Sequence, residues 1–385
     1  MHWRSKLLHP TNHAPKDYNS LTTPVYRAST VVFENTKGII DNWRQKTHGY
    51  TYGLFGSPTV VELGIRIAEI EGAHHTFIVP GGQAAISTVY LAFCKTGSHC
   101  LVPYSAYGPN KELAYGLLKN MGIEVQTYDP SIGAGIADLI KPNTHLIWTE
   151  SPGSITMEIQ DVPAIIKAAK ARGVAVAIDN TYSAGVMFDA FKHGVDVSVQ
   201  ALTKYIGGHS DLVLGSLSVA NNALYEKVGS IWAQLGMNVS PDDASLALRG
   251  LQTLGVRLEK LEASALKIAK WLKDHADVEL VLHPALPDCG GHEIWKRDFT
   301  GSASVFSFVF KEHVPKEQVI TFVESLKFFK LGFSWGGTQS LAMVYPGLHR
   351  PNRDYKDRLV RLNIGLEEPD DLIADISAAI EKVIR

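Results

Sequence analysis

Short apolar segments alternate with helical stretches and Gly-rich turns along much of this chain, and this alternation limits the possible folds more than any other feature of the sequence. A helical pattern runs from Pro58 to Gly72. Six later segments have the length and composition of strands: residues 75–79, 99–102, 123–128, 146–149, 174–178 and 195–199. Strands that are separated by helices form mostly parallel sheets. The sequence therefore predicts an α/β fold with a mostly parallel sheet.

The pattern changes twice along the 385 residues, a length that exceeds one ordinary hydrophobic core. Residues 1–57 are rich in Pro, Thr, Asn and His, which predicts an extended N-terminal arm that contacts a neighbouring subunit. Residues 58–242 carry the alternating pattern and predict the α/β domain. Residues 243–385 contain a long helical stretch, a strand at 304–310 and a last helix from Pro369, which predicts a smaller α+β C-terminal domain.

Composition excludes several classes of partner. Lys and Arg number 37 against 39 Asp and Glu, so the net charge of -2 gives no electrostatic reason to expect nucleic acid or an anionic membrane. Cys94, Cys100 and Cys289 lack metal-ligand spacing, and we predict no metal site. The chain also has no apolar signal core and no apolar run of membrane-spanning length. We therefore predict a cytoplasmic protein whose partners are small molecules and further copies of itself.

Lys204 and Asp179 together indicate a chemistry. Lys204 follows Thr203 and precedes a Gly-rich turn, and Asp179 closes an apolar run that predicts a buried parallel strand with a carboxylate at its C-terminal end. Pyridoxal phosphate needs a lysine for its Schiff base and an acidic partner that keeps its pyridine nitrogen protonated. Either residue alone is more often a surface lysine or a helix cap. The pair predicts a pyridoxal phosphate site.

Other residues could complete such a site. Gly82 and Gln83 follow a predicted strand and open a helix, whose N–H groups could hold the cofactor phosphate together with the Thr203 hydroxyl. A glycine pair before a helix is, however, more often only a tight turn. Tyr107 lies in a loop after a predicted strand, where its ring could stack on a flat heterocycle. Arg361 interrupts a β-like apolar run, and either a substrate carboxylate or a structural salt bridge would satisfy its charge.

Short motifs from one end of the chain to the other share a common pattern. They are residues 52–53 with 56–59, 106–107, 150–154, 178–181, 200–211, 249–257, 283–287, 333–337 and 361–367. Together they resemble the Cys/Met-metabolism family of pyridoxal-phosphate enzymes. The motifs at 200–204, 334–337 and 361–367 favour the β-lyase branch of that family.

The resemblance implies a role for each matched residue. It makes Lys204 the Schiff-base lysine and general base, Asp179 the pyridinium partner and Tyr107 the ring that stacks on the cofactor and takes part in catalysis. The residues implied to hold the phosphate are Gly82, Gln83 and Thr203, with Tyr52 from the neighbouring subunit. The residues implied to bind the substrate are Arg361, which would grip its carboxylate, Ser334, which would orient Lys204, and Trp335 and Tyr107, which would line the pocket.

The resemblance also implies a fold and an activity. The fold would be that of the type I aminotransferases, with a sheet of seven strands in the large domain, and the assembly would be a homodimer or homotetramer. The activity would be that of a carbon–sulfur β-lyase, which cleaves L-cystathionine to homocysteine, pyruvate and ammonia in methionine biosynthesis.

One departure from the family pattern leaves alternatives open. Leu54, followed by Phe55, stands where the family commonly has an arginine that helps to hold the phosphate. The alternatives within the family are γ-lyase or γ-synthase chemistry, and cysteine-S-conjugate β-lyase activity with a racemase side activity in which Tyr107 is the second acid. A non-catalytic binding protein would not need both Lys204 and Asp179. A nicotinamide-dependent dehydrogenase is disfavoured, because no Gly-x-Gly-x-x-Gly motif follows the first predicted strand.

Overall fold

The computed structural model describes residues 2–9, 20–39, 42–45 and 49–384. A large sheet contains seven strands: β1 (His75–Val79), β2 (His99–Pro103), β3 (Glu124–Tyr128), β4 (Thr144–Glu150), β5 (Ala175–Asp179), β6 (Val197–Ala201) and β7 (Gly215–Val219). Their order in the sheet is β1-β7-β6-β5-β4-β2-β3. β7 is antiparallel to both of its neighbours, and the other neighbouring pairs are parallel. The predicted α/β fold with a mostly parallel sheet is confirmed.

Each of the six predicted segments overlaps a strand, but the sequence patterns missed β7. Its sequence, Gly-Ser-Leu-Ser-Val, alternates serine with apolar residues and forms no continuous apolar run. All five of its residues are nevertheless buried. The Ser218 hydroxyl is satisfied inside the protein, because it contacts the Thr76 hydroxyl at 2.7 Å and donates to the Glu71 carboxylate. Buried hydroxyls with such partners allow a polar sequence to form an internal strand.

A second sheet lies in the C-terminal part of the chain. The strands after β7 are β8 (Val278–Leu282), β9 (Val305–Phe310), β10 (Lys330–Leu331), β11 (Leu341–Val344), β12 (His349–Arg350), β13 (Arg353–Asp354) and β14 (Leu359–Asn363). Five of them form a sheet in the order β10-β11-β14-β9-β8, whereas β12 and β13 pair only with each other. The predicted strand at 304–310 corresponds to β9.

The α-helices of the described residues cover Trp3–Lys6, Pro58–Glu71, Gly82–Phe93, Gly108–Leu113, Val162–Lys170, Ala190–His193, Asn222–Gln234, Pro241–Gln252, Leu254–Lys273, His292–Asp298, Lys316–Ser325 and Pro369–Val383. The helix predicted from Pro58 ends where Gly72 adopts a left-handed φ of 71°, a common C-terminal signal. The long stretch predicted after residue 240 is two helices, which meet at Thr253. Across the described ranges, no helix combines the length and apolarity needed to cross a bilayer.

The domain boundaries stay predictions. One apolar core consists only of residues between Ala265 and Ile380, which agrees with a separate C-terminal unit. Another core joins residues of the large sheet to Leu254, Leu282 and Val305, so the two parts also share packing. Within the predicted arm, residues 10–19, 40–41 and 46–48 lie outside the described residues. The described part begins with a helical turn at Trp3–Lys6 rather than an extended segment.

Three neighbouring strands place polar residues at one edge of the large sheet. β4 ends at Glu150, β5 ends at Asp179, and β6 leads into the turn that carries Lys204. Glu150 and Asp179 are register partners in adjacent strands. The carboxyl ends of parallel strands are the usual location of ligand sites in open α/β sheets. The fold therefore brings the lysine and the aspartate identified in the sequence to the same edge.

Buried His283 makes a testable contribution to acid sensitivity. Its side chain is fully buried after β8, and burial lowers its pKa from 6.5 to about 4. The unfolded chain therefore binds a proton on this histidine near pH 6.5, whereas the folded chain binds it only near pH 4. The free energy of unfolding is therefore undiminished by His283 above pH 6.5 and falls as the pH is lowered towards 4. We expect this residue alone to lower the free energy of unfolding by on the order of 3 kcal/mol across that interval.

Denaturant unfolding of the His283→Gln variant between pH 7 and pH 4 checks this expectation. Glutamine keeps a polar side chain but does not titrate, so the variant should lose less stability on acidification than the unsubstituted protein. Parallel pH profiles for the two proteins would show that His283 does not contribute.

Candidate active site

A cavity of about 300 Å³ lies at the edge of the large sheet where β4, β5 and β6 end. Eight of the ten residues predicted for the site line it: Gly82, Gln83, Tyr107, Asp179, Thr203, Lys204, Trp335 and Arg361. Ser334 reaches the site through a hydrogen bond to Lys204. Tyr52 does not line this cavity, and its side chain is 49% exposed.

Lys204 is held in a turn directly after β6. Its backbone N–H donates to the Ala201 carbonyl at 3.1 Å, and its own carbonyl accepts from the Gly208 N–H at 2.8 Å. The ammonium group donates to the Ser334 hydroxyl and lies 5.4 Å from the centre of the Trp335 ring. Burial, helped by nearby Arg361 and opposed by Asp179, lowers the pKa of Lys204 to about 8. A substantial fraction of this amine is therefore neutral near physiological pH, as a nucleophile or a base requires.

Asp179 is a fixed, half-buried carboxylate. Its Oδ1 accepts hydrogen bonds from the Thr181 N–H at 3.1 Å and the Thr181 hydroxyl at 2.6 Å. The same hydroxyl accepts from the Ala201 N–H at 2.9 Å and so ties β5 to β6. Burial raises the pKa of Asp179, while Thr181 and Lys204 act in the opposite direction. A carboxylate in this position can stabilise a cation that enters the cavity.

The start of the Gly82–Phe93 helix offers backbone donors to an anion. A methyl group added to Gly82 would lie 2.9 Å from the Ala201 side chain, so this close approach of helix and strand requires glycine. The side chains beside it already have partners. Thr203 Oγ1 donates to the Leu214 carbonyl and accepts from its N–H, each at 3.1 Å, and the Gln83 amide donates to the Pro109 carbonyl at 3.0 Å. That Gln83 and Thr203 hold a phosphate therefore stays a prediction, and the helix N–H groups are the readier donors.

Tyr107 is placed by a residue to which the sequence motifs assigned no role. Its backbone N–H donates to Glu150 Oε2 at 2.7 Å, while its ring lines the cavity and is 43% exposed. Burial, followed by the neighbouring Asp179, raises the pKa of Glu150 well above its usual value. Glu150 could have been found from its position at the end of an apolar run, because that is the feature that identified Asp179.

Arg361 lies on β14, and its side chain is buried at the cavity wall. Its guanidinium donates to the Ser334 carbonyl at 3.2 Å and lies 5.2 Å from the centre of the Tyr345 ring. Among the described residues, no carboxylate forms a salt bridge with it or contributes to its electrostatics. The structural salt bridge considered from the sequence is therefore absent from the described part of the chain. A buried arginine without an acidic partner suits an anionic ligand.

Ser334 joins the lysine to the arginine. It has a left-handed φ of 82°, which is uncommon for a residue other than glycine. Its hydroxyl accepts from Lys204 and its carbonyl accepts from Arg361.

Leu54 and Phe55 lie in a short helical turn outside the cavity lining, and Phe55 packs near Trp232. This site thus has no cation at the position where the family pattern commonly has one.

The chemistry of this donor set fits pyridoxal phosphate. Lys204 would offer an amine with a lowered pKa to the aldehyde, and Asp179 would offer a half-buried carboxylate to the pyridine nitrogen. The N-terminus of the Gly82–Phe93 helix supplies free N–H groups for the phosphate. Tyr107 supplies a half-exposed ring for the flat face of the heterocycle.

Comparison with known proteins agrees with this assignment. The model of the family described as Cys/Met metabolism PLP-dependent enzyme matches residues 4–381. A relative from Rhizobium johnstonii is 44% identical over 97% of this chain and 94% of its own length. The cystathionine β-lyase of Escherichia coli is 40% identical over 95% of this chain and 94% of its own.

A solved structure extends the similarity to the fold. The cystathionine γ-lyase of Lactobacillus plantarum, in complex with L-serine, superposes with a TM-score of 0.92 and 29% identity, and the match covers 100% of both chains. It confirms that the fold is shared with a cystathionine γ-lyase. The chain therefore belongs to the Cys/Met-metabolism family of pyridoxal-phosphate-dependent enzymes.

Proposed function

We propose that this enzyme is a carbon–sulfur β-lyase that cleaves L-cystathionine to homocysteine, pyruvate and ammonia. The observation that carries the proposal is the convergence of Lys204, Asp179 and Arg361 on one cavity, with no carboxylate partner for Arg361 among the described residues. This set can bind an α-amino acid and remove its Cα proton. The E. coli relative named a cystathionine β-lyase supports the choice of the β-cleaving branch.

Each residue has a distinct part in the proposed reaction. Arg361 binds the α-carboxylate of the substrate in a bidentate manner. Neutral Lys204 takes the proton from Cα, and the resulting ammonium returns it to the sulfur atom as the bond between Cβ and sulfur breaks. Asp179 would keep the pyridine nitrogen of the bound cofactor protonated. Pyridoxal phosphate, when bound, would supply the electron sink for the charge left at Cα. Addition of water to the released three-carbon fragment gives pyruvate and ammonia, which balances the reaction.

Product analysis tests the proposal directly. The cofactor-loaded protein is incubated with L-cystathionine while pyruvate, 2-oxobutyrate and free thiol are measured. Pyruvate with an equal amount of homocysteine would support β-cleavage. Formation of 2-oxobutyrate and cysteine would move the enzyme to the γ-cleaving branch. Optical rotation of L-alanine, followed in a parallel sample, would reveal a racemase activity.

We also propose that the active site is completed by a second copy of the chain. The support is that exposed Tyr52 lies outside its own cavity, whereas Val213 lines the cavity yet is 66% exposed. Mixing Lys204→Ala and Tyr52→Ala subunits tests this arrangement. In a dimer that contains one subunit of each variant, one shared site carries both substitutions and the other shared site carries neither. Activity recovered in the mixture would support a site shared between subunits. If each variant is inactive alone and the mixture stays inactive after verified subunit exchange, the shared site is contradicted.

Glu150 should act through its shape rather than through its charge. Glutamine keeps an oxygen that can accept from the Tyr107 N–H and is neutral, as burial favours for this carboxyl group. We expect Glu150→Gln to keep kcat/KM within about twofold. Glu150→Ala leaves the partly buried Tyr107 N–H without its acceptor, a loss of roughly 1–3 kcal/mol, and should lower kcat/KM about tenfold or more. Equal losses in both variants would show that the negative charge is what matters.

A further inference from the structure

One wall of the cavity is a loop in a strained backbone conformation. Ile155 has a φ of 71° and Met157 a φ of 58°, and both residues line the cavity. A left-handed φ is a true outlier for a β-branched residue such as Ile155. Such conformations are unfavourable and persist only where surrounding contacts impose them. The shape of this wall therefore depends on whatever holds the loop.

Three hydrogen bonds hold the backbone of this loop. The Gly153 N–H donates to the Glu158 carbonyl, and the Ser154 N–H donates to the Ser105 carbonyl, each at 2.8 Å. The Ser307 hydroxyl of β9 donates to the Ile155 carbonyl at 2.6 Å. These contacts fix the backbone of the loop. The Thr156 side chain is held by a different residue.

That residue is Arg350, which lies 194 residues further along the chain, in the β12–β13 hairpin. Its Nε donates to the Thr156 hydroxyl and its Nη2 donates to the Ser154 carbonyl, each at 2.8 Å. The Thr156 hydroxyl in turn donates to Glu158 Oε2 at 2.7 Å, and Glu158 lies 3.7 Å from Arg350. The Arg350 side chain is only 4% exposed, so its planar fork is fixed on both sides of the strained residue Ile155.

The segment that carries Arg350 also reaches the carboxylate-binding arginine. Tyr345, five residues earlier, places its ring 5.2 Å from the guanidinium of Arg361. On the other side, Asn352 contacts Asp129 and the Tyr104 hydroxyl, which belong to the large sheet side. A single segment, residues 345–352, thus contacts both the strained wall and Arg361.

We propose that Arg350 is a positioning residue for substrate binding: it holds Ile155 and Met157 as a fixed wall of the cavity without touching the reacting atoms. The proposal deepens the proposed lyase function and rests on it for the identity of the substrate. The cofactor-facing residues Lys204, Asp179 and Gly82 have no contact with Arg350 among the described interactions. Loss of Arg350 should therefore weaken substrate binding and leave cofactor binding intact.

The test compares Arg350→Met with the matched control Arg353→Met, an arginine of the same hairpin that is 48% exposed and lies 3.9 Å from Glu279. For Arg350→Met we expect KM for L-cystathionine to rise about tenfold, with kcat within about threefold. The dissociation constant for pyridoxal phosphate, measured from visible absorbance, should not change. The control should match the unsubstituted enzyme in all three quantities.

A second variant guards against misfolding of the first. Thr156→Val removes the hydroxyl that accepts from Arg350 but keeps the volume of the side chain, and it should raise KM about threefold. Unchanged KM in both variants would overturn the proposal, and so would a loss of cofactor binding that parallels the loss of activity.

The lyase function is judged separately, by products of the unsubstituted enzyme. If that enzyme releases neither pyruvate nor 2-oxobutyrate, the apparent dissociation constant of L-alanine, read from the visible spectrum of the loaded protein, replaces KM. Equal constants for Arg350→Met and the unsubstituted protein would then overturn the Arg350 proposal, and a weaker constant in the variant would support it.

Discussion

Replacing Lys204 by alanine should reduce pyruvate release from L-cystathionine by more than about 10³-fold, because the proposed base and the amine that captures the cofactor are the same group. The loss should appear in kcat, while thermal unfolding of the cofactor-free protein changes little. The half-exposed Lys227 on the Asn222–Gln234 helix provides a matched control, and Lys227→Ala should keep full activity. Near-normal pyruvate release from the Lys204 variant would refute this role.

The lowered pKa of Lys204 adds a pH dependence to the same prediction. Only the neutral amine attacks an aldehyde, and burial brings the pKa of this lysine to about 8 in the protein without cofactor. The rate at which the cofactor-free protein regains its visible absorption on addition of pyridoxal phosphate should therefore rise through about pH 8 and level off above it. A rate that climbs only near the pKa of an ordinary lysine would show that the site does not lower this pKa.

Asp179→Asn should have the second largest effect, a fall in kcat of at least about 10²-fold. Asparagine has the shape of aspartate and can still accept from Thr181, but it carries no charge to hold a proton on the pyridine nitrogen. The visible absorption of the bound cofactor should change as well. Thr181→Val is the informative comparison, because it removes a hydrogen bond to Asp179 and keeps the charge. If the two variants lose activity equally, orientation rather than charge explains the effect.

The sequence predicted those parts of the site that depend on local pattern. Asp179 is predicted from the apolar run that it closes, and Lys204 from its place between Thr203 and a Gly-rich turn. The same logic predicted six strands of the large sheet. It failed for β7, where the buried Ser218 hydroxyl is satisfied by Glu71 and Thr76 from distant parts of the chain.

The remaining parts of the site depend on contacts that no local pattern encodes. Arg350 and Thr156 are far apart in the sequence, and neither has a neighbour that marks it as functional. The left-handed conformation of Ile155 cannot be predicted from the sequence either, since isoleucine is among the residues least suited to it. Glu150 was visible as the end of an apolar run, but its contact with the Tyr107 backbone required the folded chain.

The conformation of Ser334 has a consequence for redesign of the enzyme. The Ser334 hydroxyl accepts a hydrogen bond from Lys204, and the Ser334 carbonyl accepts one from Arg361. The lysine and the arginine therefore cannot be repositioned independently while Ser334 keeps its backbone angle. Glycine at this position would retain the left-handed backbone and the contact with Arg361 while releasing Lys204. Alanine would release Lys204 too, but it would also favour a different backbone angle and so displace the arginine. Engineering that changes the environment of Lys204 while Arg361 stays in place should therefore begin with Ser334→Gly, which alters one contact and leaves the other.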